Sequence, residues 1–124
     1  MYAPALETYR RQRVETASPM QLVRMLYDAM LEDAHDAKTA LCDKDYAAAH
    51  NALVHAQKIV EELDRAVDLE KGGQIAVNLK RLYDFLMRRL IYVNITKSLT
   101  AMEDTQAVME AMHNMWSSVP GWEY

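Results

Sequence analysis

A chain of 124 residues with 14 Lys and Arg against 18 Asp and Glu carries a formal charge of −4. Its length suits one domain that buries a core without disulfide or metal staples, and its acidic balance excludes a whole-chain electrostatic drive toward nucleic acid or anionic lipid. The lone cysteine, Cys42, excludes an intrachain disulfide, suits a reducing cytosol and reads as a small buried or half-buried filler.

At the N-terminus, MYAPALETYRRQR lacks the apolar run of a signal peptide, and no window approaches roughly 18 consecutive apolar residues. The expectation is a cytoplasmic protein with no membrane insertion. Arg10, Arg11 and Arg13 read as a solvated end, and no nucleic-acid partner is expected. Residues 1–17 form an arm, because Ser18, Pro19 and Gln21 make a capping box with proline at the first helical position. The helix that starts there runs from Pro19 to about Leu41.

Asp43 or Asp45 caps a second helix, from about Tyr46 to Val67. Its apolar residues, Ala49 through Ile59 to Val67, fall within one arc of about 130°. The stretch DLEKGGQ ends it, with Gly72 and Gly73 supplying the turn, and a third helix runs from about Gln74 to Thr96. Ser98 caps a fourth, to about Ser117, with Met102, Val108, Met109, Met112 and Trp116 inward; Pro120 and Gly121 stop it. Three glycines, three prolines and no alternating strand-like runs make the class all-α. The simplest packing is an antiparallel up-down four-helix bundle over residues 18–118, with the N-terminal arm before it and a short tail, 119–124, after it.

Little in the chain points to catalysis. His50 and His55 are five apart and diverge on a helix, so no metal site is expected. KGGQ lacks the spacing and preceding strand of a phosphate loop, so no cofactor is expected either. Glu61, Glu62, Asp64, Asp68 and Glu70 read as a solvated face. HDAK (His35 to Lys38) and HAQK (His55 to Lys58) have the His-x-x-Lys spacing of histidine phosphotransfer domains. Those usually carry glycine next; here Thr39 and Ile59 follow, and the spacing favours surface histidines beside surface lysines.

The third helix is apolar on more of its circumference than one core contact requires. With Leu79 at zero and about 100° per residue, Leu82, Ile75, Val93, Leu86, Leu79, Leu90, Tyr83, Met87 and Ile91 span about half the circle. Two bundle seams account for such an arc, and so does a groove for a partner helix. Met87, Met102, Met109, Met112 and Met115 concentrate in the last two helices, as on surfaces that repack around another chain. Phe85 and Tyr92 lie on the side that Arg81, Arg88 and Arg89 make polar and have no assigned role. In the arm, Leu6 and Tyr9 are spaced to lie as a plug in the chain's own groove.

TASPMQLVRMLYDAM, LEKGGQIAVNL and LYDFLMRRLIYVN resemble the flagellar export chaperone family, the FliS-like proteins, and the likeness runs from about Tyr2 to Trp116. It implies an antiparallel four-helix bundle, an N-terminal segment that covers an apolar groove, and no catalysis. It implies as partners the C-terminal segment of flagellin, bound as a helix and kept from premature polymerisation, and the flagellar export gate. By position, Leu6 and Tyr9 match the family's plug, and Tyr27, Asp28, Tyr83, Arg89, Leu90 and Asn94 match its recurring motifs. The expected partner-binding residues are Tyr27, Tyr83, Met87, Leu90, Ile91 and Asn94, with Leu79, Leu82, Leu86 and Val93 in the bundle. Asp28 and Asp84 are expected to hydrogen-bond across it. The chain departs from the family at Ala29, where glycine is common, at Val67, where leucine is, and in its short tail. The alternatives are a histidine phosphotransfer domain and a non-catalytic helical adaptor.

Overall fold

Short oxygen-bearing side chains start three of the four helices. The computed structural model describes residues 19–119 and Trp122. Helix α1 (Pro19–Cys42) opens on its proline. Asp45 caps α2 (Tyr46–Arg65) by accepting from the Ala48 N–H, and Ser98 caps α4 (Leu99–Trp116) by accepting from that of Ala101.

Helix α3 (Leu69–Thr96) carries a kink near its start. A short helical turn precedes the expected start, because Asp68 accepts from the N–H groups of Glu70 and Lys71 ahead of the glycines; beyond the kink at Gly73 the helix runs from Gln74 to Thr96, as expected. The pair breaks the helix instead of ending the one before it. Gly73 sits at φ 56°, ψ −134°, which a Cβ disfavours, and a Cβ on Gly72 would come within 2.6 Å of that of Ala76. At the far end Lys97 takes the left-handed conformation and its N–H caps the Val93 carbonyl.

Each helix packs on two neighbours in a square, α1 on α2 and α4, and α3 on the same two. Polar contacts give the directions: His50 of α2 meets Asn94 of α3 while Asp64 meets Lys80, and Lys38 of α1 meets Glu103 of α4 while Asp28 meets His113. Both of these neighbouring pairs are therefore antiparallel, and with short links between consecutive helices the fold is the expected all-α up-down bundle. Tyr27, Met30, Leu53, Ile59, Leu63, Leu86, Leu90, Met102 and Met109 fill its centre. Among the described residues no helix is long and apolar enough to cross a membrane.

The α1–α2 pairing is the most extensive in the bundle and α3–α4 the least. Buried alanines explain the first: Ala34, Ala37 and Ala40 face Ala49, Ala52 and Ala56, and small side chains let two backbones approach closely. Within this seam His55 Nδ1 lies 2.5 Å from Asp33 Oδ2, with both side chains buried.

Three expectations are corrected here. His55 is interior, because its hydrogen bond to the Asp33 carboxyl on another helix makes burial tolerable. Cys42 is exposed, since it ends α1 where the chain turns away from the core. Of Asp28 and Asp84 only the first reaches across helices, to His113 of α4 at 3.4 Å; Asp84 is exposed and pairs with Arg88 on its own helix.

Candidate partner-binding site

At the end of the bundle where α1 begins and α4 stops, aromatic side chains build a floor. The Tyr27 and Tyr83 hydroxyls are 2.9 Å apart, and Trp116 Nε1–H donates to the Tyr27 oxygen over 3.0 Å. Trp122 stacks on Trp116, ring centroids 6.0 Å apart and planes 12° from parallel, and presents an edge to Tyr27. Arg24 donates from Nη1 to the Trp122 carbonyl at 3.0 Å. Burial pushes both phenols up from their ordinary range, so the hydroxyls keep their protons and their hydrogen bonds. Satisfied polar atoms in a packed aromatic cluster give a rigid base.

Above this floor lie two apolar cavities that share Ile75, Leu79 and Trp116. One, of about 340 Å³, reaches Val23 of α1, Leu63 of α2 and Tyr83. The other, of about 320 Å³, opens between α3 and α4 and is completed by Leu82, Met115 and Val119. Helix lengths explain the opening. Beyond its kink α3 runs from Gln74 to Thr96, whereas α4 has 18 residues and starts where α3 ends, so α4 runs out beside Leu79 and leaves the first turns of α3 uncovered on that flank. Ile75, on those turns, is 72% exposed.

The anticipated partner-binding residues divide. Tyr27 and Leu90 are fully buried and Tyr83 nearly so; they hold the interior, with Tyr83 forming cavity wall. Met87 is half-buried against the core, and Ile91 is 42% exposed. Asn94, half-buried, hydrogen-bonds through its side chain to the His50 ring. Asn94 and Lys80 both meet α2, so Met87 and Ile91 sit on the α2-facing flank of α3, and neither lines a cavity. Leu6 and Tyr9 lie outside the described residues. The sequence reading put Leu79, Leu82 and Trp116 in the bundle and gave Ile75 and Met115 no place in the site.

The family model described as flagellar protein FliS matches residues 1–121. The chain belongs to the flagellar protein FliS family. It is 33% identical over 122 residues to the flagellar secretion chaperone FliS of Salmonella typhimurium, covering 94% of this chain and 90% of that one. It is 27% identical over 124 residues to flagellar secretion chaperone FliSB of Pseudomonas aeruginosa, covering 96% and 98%. With FliS of Bacillus subtilis it shares 26% over 108 residues, 87% and 80% of the two chains. Membership in this family displaces the phosphotransfer reading, and burial of His55 removes one of the two histidines on which that reading stood.

Proposed function

We propose that this protein is a cytoplasmic, non-catalytic secretion chaperone that binds the C-terminal segment of flagellin, prevents its premature polymerisation and presents it to the flagellar export gate. The two neighbouring apolar cavities along the first turns of α3, one reaching α1 and α2 and the other opening toward α4, carry this reading. They match the helix-in-groove mode of recognition, in which a few apolar anchors of an amphipathic segment fill pockets on a preformed surface. Ile75, Leu79, Leu82, Met115 and Trp116 receive the anchors. Met87 and Ile91 extend the contact on the other flank, and Tyr27, Tyr83, Leu90 and Asn94 support it from within. The N-terminal arm, residues 1–17, covers the cavities through Leu6 and Tyr9 when no client is bound. Its attachment supports this role, since α1 starts at Pro19 and Val23, one turn on, lines a cavity.

Calorimetry with the C-terminal segment of flagellin tests the proposal. Saturable binding with a negative heat-capacity change is expected, because folding of the segment onto the groove buries roughly 1,000–3,000 Å². Changing Ile75→Asp with Met115→Asp, both exposed in the free chain, is expected to weaken binding at least tenfold while the helices stay folded. Met87→Asp with Ile91→Asp tests the second flank separately. Absence of saturable binding to the unmodified protein contradicts the proposal.

A further inference from the structure

Charge is segregated along this acidic chain. Residues 80–97 hold five basic side chains, Lys80, Arg81, Arg88, Arg89 and Lys97, and one acidic, Asp84, whereas α4 holds Glu103, Asp104 and Glu110 and no Lys or Arg. Lys80 is engaged by Asp64 of α2, and Lys97 by Asn94. The three arginines lie elsewhere, with two aromatic rings that the core does not take. Phe85 is 46% and Tyr92 50% exposed, although Leu86, Leu90 and Val93 on the same helix are completely buried.

Seven residues separate Phe85 from Tyr92, so they sit on one face about 10 Å apart along the axis. Arg88 lies between them, paired over 3.0 Å with Asp84 on the surface of the same helix; Arg81 is exposed one turn before Phe85. The Arg89 guanidinium stands 5.1 Å from the Tyr92 ring centroid, which holds that ring in place. None of these five residues lines either cavity.

We propose that the outer face of α3, formed by Arg81, Phe85, Arg88, Arg89 and Tyr92, is a second docking surface, specific for an acidic amphipathic helix of another protein. Such a helix places two apolar side chains seven residues apart against Phe85 and Tyr92. Its flanking carboxylates meet the guanidinium groups, whose planar forks suit bidentate contact with carboxylates. Arg88 exchanges a solvent-exposed intrahelical pair for a covered one. A polyanion such as RNA suits the face poorly, because the rest of the molecule repels it.

The test uses the full chain, isotopically labelled, and a synthetic helical peptide with leucines seven residues apart and glutamates beside them. Saturable resonance shifts at Arg81, Phe85, Arg88 and Tyr92 are expected, with affinity falling at least tenfold when salt rises from about 50 to about 300 mM. The same loss is expected for Phe85→Ala with Tyr92→Ala, and for a peptide with lysine in place of glutamate. Binding of the flagellin segment is expected to survive Phe85→Ala with Tyr92→Ala, which separates this surface from the groove. Equal binding of the lysine peptide overturns the proposal, as do shifts confined to the cavities, tighter binding of single-stranded RNA at the same residues, or indifference to the double substitution.

Discussion

The two halves of the bundle solve different problems with the same secondary structure. In α1 and α2, alanine faces alanine, the backbones draw close, and a polar pair is sealed between them. In α3 and α4 large side chains meet over helices of unequal length, and cavities remain. Among the described residues, every large exposed hydrophobic except Tyr46 belongs to α3 or α4. One pair of helices secures the fold, and the other keeps apolar surface open. Interiors pack near crystal density, so surface left open in this way marks a place where another chain completes the packing.

The contrast is broken most forcefully from the tight side. Ala52→Leu inserts atoms where neither backbone can retreat, and a loss of about 3 kcal/mol is expected in urea unfolding. A loss well under 1 kcal/mol would mean the seam is looser than its alanines imply. Next comes the hinge of the open half: Gly73→Ala is expected to cost about 1–2 kcal/mol, since φ 56° is strained for a side chain.

The sealed pair adds a pH signature to the tight half. Burial, with Asp36 and Glu32 nearby, raises the Asp33 carboxyl to about 8 from its usual 3.8, and burial, with Lys58, lowers His55 from 6.5. The raised acid contributes stability that is lost as pH rises through its folded value; the depressed base contributes stability that is lost as pH falls below 6.5. The acid makes stability fall as pH rises from about 4 toward 8, and the base opposes it only just below 6.5, so the decline is uncompensated above about 6.5 and amounts to about 1 kcal/mol from there toward 8. Thermal unfolding against pH checks this, and Asp33→Asn is expected to flatten the alkaline decline. The smallest effect comes from the open side. Ile75→Ser should change unfolding free energy by less than about 0.5 kcal/mol, which sharpens the contrast with Ala52.

Much of this was legible in the sequence because it is local. Pro19, Asp45 and Ser98 start helices where their chemistry says, and the inward methionines of α4 are inward. Asp68 is hard to see as a cap because two glycines four and five residues on give a stronger turn signal. The breadth of the apolar arc on α3 was visible, but which flank stays open was not, since a helical wheel carries no information about how far a neighbour extends. Tyr83 and Leu90 lie near the middle of that arc and went to the core, while Ile75, at its edge and past the end of α4, did not. His55 was misread for a similar reason: its partner Asp33 is 22 positions away, on another helix. Trp122, in what read as a tail, is buried against Trp116 and Tyr27, contacts that spacing does not reveal.

Hydrogen exchange, with and without the C-terminal segment of flagellin, tests most directly the division of labour between the two halves. The expected result is new protection at residues 72–82 of α3 and along the last turns of α4, with exchange in the α1–α2 seam unchanged. Protection confined to α1 and α2, or none on α3 and α4 at saturating segment, would contradict it.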